Sequence, residues 1–135
     1  MKRLFLDANV LFTASCNPAG KASLVIELGA AGAWRLFSSG YAVAEARQNL
    51  QVKAPPALPV LEGILPQIQI VAAKGSASIP VGLVVKDQPI FQAAVACRAT
   101  HLLTGDKKHF GEWVNKPGVT FGVIVQTVAQ FLASL

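Results

Sequence analysis

The sequence predicts an α/β protein, a three-layer α/β/α sandwich around a mainly parallel sheet of about five strands. Three observations predict it. Short apolar runs alternate along the chain with segments of helical character, the pattern of strand–helix units around a parallel sheet. The composition, 53% hydrophobic and 14% charged, is that of a compact chain with buried strands. The length of 135 residues gives one domain, residues 1–135, with enough chain to bury a core.

Arg3-Leu4-Phe5-Leu6 is an apolar run that stops at Asp7, as a buried strand stops at a sheet edge. A loop follows, marked by Asn17-Pro18-Ala19-Gly20. Residues 23–31 read as a helix with Leu24, Ile26 and Leu28 inward, and residues 34–37 as a second strand ended by Ser38-Ser39-Gly40. A helix over 41–50 carries Glu45. Prolines 55, 56 and 59 mark a connector, followed by a short helix at 60–65, a third strand at 68–71 and a turn at 75–78. Pro89 suits the first turn of a helix running to about residue 99, and Leu102-Leu103 begins a fourth strand. Residues 119–123 supply a fifth. The stretch 118–135 carries no charge, but Gln126, Gln130 and Ser134 recur every fourth residue opposite Val125, Val128, Leu132 and Leu135, which predicts an amphipathic terminal helix and no membrane span. No internal repeat or low-complexity tract interrupts the pattern.

Several function classes fall away. Cys16 and Cys97 are far apart, lack metal-ligand spacing and read as reduced intracellular thiols, which predicts a cytoplasmic protein. Asp7 and Asn9 interrupt what would be the apolar core of a secretory leader. Pro18-Ala19-Gly20-Lys21 lacks a P-loop's glycine, where Ser15 stands, and its hydroxyl residue, where Ala22 stands. The net charge of +5 permits a nucleic-acid partner without requiring one.

Acids are scarce, seven in the whole chain, so each can be asked what it does. In an open parallel sheet, functional groups gather at the carboxyl ends of the strands, where the loops diverge into a crevice. Asp7 and Asp106 both sit at such ends, and Asp87 stands where the helix leading into the fourth strand begins. Each acid also has a plain structural reading. Asp87 suits a helix N-cap, Asp106 a turn residue after Gly105, and Glu45 a solvated helix position. Asp7 is harder to explain that way, lying between Leu6 and the apolar run Val10-Leu11-Phe12 with no local lysine.

The order Leu6-Asp7-Ala8-Asn9-Val10-Leu11, then Glu45 in a helix, then Asp87 before Ile90-Phe91-Gln92-Ala93-Ala94, then Thr104-Gly105-Asp106-Lys107-Lys108-His109-Phe110, resembles a PIN domain over nearly the whole chain. That family includes VapC-type toxins and RNA-processing nucleases. The resemblance implies an acidic metal site at Asp7, Glu45, Asp87 and Asp106, serving both metal binding and catalysis, with Asn9 in the first strand-end motif. It implies cleavage of an RNA phosphodiester leaving a 5′-phosphate, a homodimer, and a cognate antitoxin segment at the acidic groove. Two positions depart from the family pattern. Ala8 stands where a hydroxyl residue is common, and the segment after Asp106 offers lysines where some members add an acid, Glu112 being the distant candidate.

The chemistry is consistent with that resemblance. Crowded carboxylates raise one another's pKa unless a divalent cation holds them ionised, and hard oxygen ligands favour Mg²⁺ or Mn²⁺. Such an ion activates water and neutralises a scissile phosphate. Setting the four acids aside leaves twelve basic residues against three acidic ones, a distribution suited to gripping a polyanion. Lys107, Lys108 and Arg47, with Asn9 and Thr104, are the candidate RNA contacts; Lys21 and Lys86 are also near the loops. His109 in its turn and His101 entering a strand read as incidental and structural. Two other classes stay open, a PIN-fold module that grips RNA or protein without cutting, and a haloacid-dehalogenase-like phosphatase, which would want a second aspartate where Asn9 stands.

Overall fold

The structure, a computed structural model, describes residues 1–72, 83, 85–105, 116, 120 and 122–135. Its strands are β1 (Arg3–Leu6), β2 (Arg35–Ser39), β3 (Gln69–Val71), β4 (His101–Leu103) and β5 (Ile124–Gln126). They form one parallel sheet in the order β3-β2-β1-β4-β5. Among the described residues six α-helices accompany it: α1 (Ala8–Cys16), α2 (Lys21–Ala30), α3 (Gly40–Lys53), α4 (Leu58–Ile64), α5 (Gln88–Ala96) and α6 (Val128–Ala133). This is the expected three-layer α/β/α architecture. Leu4, Phe5 and Leu6 on β1 are all fully buried, and because successive strand side chains point to opposite faces, both faces of the central strand must be covered.

Phe5, Phe37, Phe91 and Phe131 anchor the core, each fully buried and each contributing roughly 1.5–3 kcal/mol of apolar transfer. Trp34 packs edge-on against Phe131 at 5.0 Å and donates its indole N–H to the Val25 carbonyl at 3.0 Å, fastening α2 to the start of β2. His101 is structural, as expected: it is buried at the amino end of β4, with Nδ1 2.8 Å from the Thr100 hydroxyl and its ring edge-on to Phe131. Cys16 is exposed, Cys97 is buried, and neither is in a disulfide.

Four local expectations are corrected. The run Val10-Leu11-Phe12 belongs to α1, which starts directly after β1 because Asp7 caps it. Helix α2 turns Ala22, Val25 and Ile26 inward and leaves Leu24 exposed; spacings of three and four make its inner face, whereas Leu24, Ile26 and Leu28 recur every second residue, a strand period. The fifth strand begins at Ile124, later than expected, because the chain turns first: Gly122 has φ +87 and Val123 N–H donates back to Thr120 O at 3.1 Å. Gln126 therefore lies in β5, and the terminal helix spans only Val128–Ala133, opened by a capping box between Thr127 and Gln130. No helix among the described residues is long and apolar enough to cross a membrane. The expected turn at 75–78 lies outside the described residues.

Strand order places the crevice. From β1 the chain adds β2 and β3 on one side, then returns to add β4 and β5 on the other, so the order reverses between β1 and β4. Loops leaving those two strands diverge at their carboxyl ends, which is where open α/β sheets bind their ligands. The register pairs Leu6 with Leu103, so Asp7 and Thr104 are the first residues past the edge, side by side.

Candidate active site

Asp7 is held from three directions. Its N–H donates to Leu103 O at 3.0 Å, Oδ1 accepts from Ala8 N–H at 2.7 Å, and Oδ2 accepts from the Thr104 hydroxyl at 2.7 Å. It is only 4% exposed. Burial pushes its carboxyl up from the ordinary 3.8 to about 6; the bonds from Thr104 and Ala8 oppose the rise, and the charges of Glu45 and Asp87 add to it. Glu45 reaches the crevice from α3, and its Oε1 lies 3.9 Å from Lys86 Nζ. Asp87 is buried in the 3-10 turn Val85–Asp87 that leads into α5, and its side chain does not cap that helix. Three of the four expected acids thus share one electrostatic neighbourhood, although they come from three separate segments. Asp106, with Lys107, Lys108, His109 and Glu112, lies outside the described residues.

Asn9 and Thr104 act on the protein itself. Asn9 Oδ1 accepts from Gly105 N–H at 2.8 Å, and its Nδ2 donates to the Thr104 hydroxyl at 3.3 Å. Asp7, Asn9, Thr104 and Gly105 therefore form one hydrogen-bonded knot joining the start of α1 to the residues that follow β4. Beside the knot runs a groove of about 440 Å³ lined in part by Asn9, Gly105, Val10, Lys21 and Val128. Another cavity, of about 430 Å³ at the amino ends of β2 and β3, includes Trp34 and Gln69 and no acid in its lining.

Arg47 is placed differently from Glu45. Two residues along a helix point to different faces, and the Arg47 guanidinium forms a two-pronged pair with Glu62 at 2.6 and 3.1 Å. Lys86 stands beside Glu45, and Lys21 opens α2 at the groove. Sequence reasoning passed over Tyr41 and Ser38. The Ser38 hydroxyl, fully buried, donates to Leu6 O at 2.8 Å and braces the last residue of β1 before Asp7. Tyr41 lies four residues before Glu45 on the same helical face, a spacing that would have flagged it.

Among the described residues, no three Asp, Glu, His or Cys side chains are close enough together to hold a metal ion. The donor chemistry nonetheless fits a hard divalent ion: Asp7, Glu45 and Asp87 offer only oxygen, and Asp7's raised proton affinity is what a nearby cation would reverse.

A five-stranded parallel sheet in this order between helical layers is PIN-like in fold. The solved structures it is similar to carry the same fold. One is VapBC2 from Rickettsia felis bound to a DNA fragment from its promoter, with TM-score 0.65 and 17% identity over 93% of this chain and 98% of the matched chain. Another is VapBC-1 from nontypeable Haemophilus influenzae, with TM-score 0.58 and 13% identity over 95% and 99%. At these identities the likeness is one of fold. The sequence matches no protein-family profile and no curated protein.

Proposed function

We propose that this chain is a single-domain ribonuclease dependent on Mg²⁺ or Mn²⁺ that hydrolyses RNA phosphodiester bonds, and that it is the toxin of a toxin–antitoxin pair acting in the cytoplasm. The observation that carries the reading is that Asp7, buried at the point where strand order reverses, feels the charges of both Glu45 and Asp87. The fold likeness to the VapBC structures supports the toxin assignment and a cognate antitoxin; a homodimer is part of the same proposal.

In this reading Asp7, Glu45, Asp87 and Asp106 hold the cation. When bound, it supplies an activated water and neutralises charge on the scissile phosphate. The protein's own residues set the geometry. Ala8 N–H and the Thr104 hydroxyl fix both oxygens of Asp7, so its carboxylate enters the crevice already oriented. Asn9 fixes Gly105 and thereby the path of the chain towards Asp106. Lys86, Lys107 and Lys108 draw the RNA backbone to a site that is itself negative. The phosphatase reading is set aside, because Asn9 stands at the position of the second aspartate and its amide is committed to Thr104 and Gly105.

The test is cleavage of a mixed-sequence single-stranded RNA with Mn²⁺ or with EDTA, followed by end analysis of the products. The reading expects Mn²⁺-dependent cleavage leaving 5′-phosphates, reduced more than about a hundredfold by Asp7→Asn or Asp87→Asn. Binding without cleavage under every metal tried would support the non-catalytic module instead.

A further inference from the structure

Tyr41 is the one tyrosine in the chain, and it stands 40% exposed on the first turn of α3. Its hydroxyl donates to the Lys86 carbonyl at 2.8 Å, so the side chain spans from α3 to the turn that carries Asp87. Glu45 follows it on the same helical face, and Lys86 Nζ approaches Glu45. The phenol is held above its ordinary value of 10.0 by burial first, and then by the charges of Glu45 and Asp87, with Asp7 a smaller contributor. Tyr41 therefore lies at the rim of the acidic crevice.

Two features make this ring a contact surface. It is tethered at both ends, by Cα and by the hydroxyl, so little side-chain freedom remains to be lost when something binds to it. It also places a flat apolar face among carboxylates and a lysine, where a site that acts on a backbone phosphate must accommodate the neighbouring bases. Every base has a π-face, and stacking on an aromatic ring needs no particular base sequence. Watson–Crick pairing and duplex stacking would keep that face covered.

We infer that Tyr41 is the stacking platform for a base flanking the scissile phosphate. The inference deepens the ribonuclease reading and rests on it.

The experiment compares wild type, Tyr41→Phe and Tyr41→Ala in Ca²⁺, by fluorescence anisotropy with a labelled single-stranded oligoribonucleotide and with its duplex. A 2-aminopurine placed in the single strand reports stacking directly, and thermal melts confirm that each variant is folded. Tyr41→Ala should weaken single-strand binding about tenfold and abolish 2-aminopurine quenching, with duplex binding unchanged. Tyr41→Phe keeps the ring and should stay within about threefold of wild type. The inference is overturned if Tyr41→Ala binds and quenches as wild type does. It is also overturned if Tyr41→Phe falls as far as Tyr41→Ala, since the hydroxyl link to Lys86 would then be the whole role. Wild-type protein that binds and quenches but never cleaves would overturn the ribonuclease reading and leave the platform standing.

Discussion

The Thr104 hydroxyl donates to Oδ2 of Asp7 at 2.7 Å, joining the first residue past β1 to the first residue past β4. The residues are 97 apart in sequence and meet because their strands are neighbours at the sheet's switch point. Thr104 opposes the burial that raises Asp7's proton affinity. Thr104→Val keeps the shape and removes the donor. It should shift the acid limb of the cleavage pH profile upward and destabilise the protein by about 1–3 kcal/mol, the cost of leaving a buried acceptor without its donor. A profile unmoved by Thr104→Val would show that Asp7's ionisation does not limit turnover.

Stability of the metal-free protein should depend on Asp7 in a definite direction. Its folded-state pKa is raised from 3.8 to about 6, so its favourable contribution is present below 3.8 and is lost as pH rises through about 6. The size is on the order of 3 kcal/mol for a shift of that extent. Asp7→Asn removes this titration. In EDTA, the stability of Asp7→Asn relative to wild type should rise between pH 4 and pH 7, as read from urea unfolding at each pH. A constant difference would show that Asp7 is not a buried, destabilised carboxylate.

Gly105 separates a structural glycine from a functional one. A methyl group added there would meet Asn9 Oδ1 at 3.6 Å and Cγ at 3.7 Å, ordinary contact distances. Gly105→Ala should therefore fold with stability within about 0.5 kcal/mol of wild type. If the glycine instead keeps room for a phosphate, the variant should lose RNA cleavage while melting normally. Full cleavage by Gly105→Ala would show that no such close approach occurs.

The basic residues should divide into two kinds. Lys107→Ala should weaken RNA binding and reduce the slope of log affinity against log salt by about one, with only a partial loss of turnover at saturating RNA. Arg47→Ala should leave that slope unchanged, because its guanidinium is already engaged by Glu62 of α4. Equal slope changes in both variants would show that Arg47 contacts the RNA backbone as Lys107 does.

The fold was legible because its signals are local. Apolar runs gave β1 to β4, and Ser39 and Pro89 sit where helices α3 and α5 start. Helix α1 is hidden in the sequence because Asp7 has two roles, ending β1 and capping the helix that follows. Strand β5 was misplaced because the turn at Gly122 depends on a backbone conformation that composition does not reveal. At the site, residue types pointed to the acids, but the partners of Asn9 and Tyr41 lie 96 and 45 residues away, and only tertiary structure brings them together. The partner of Arg47, Glu62 of α4, lies 15 residues further along, and sequence alone does not display that pair.

The most direct test of the account is a crystal of the wild-type protein soaked with Mn²⁺ and measured for anomalous scattering. The account predicts a peak in the crevice between the carboxyl ends of β1 and β4, coordinated by Asp7 and by carboxylates from Glu45, Asp87 and Asp106, and absent from crystals of Asp7→Asn. Saturating Mn²⁺ with no peak there, or a peak held elsewhere by other residues, would contradict it.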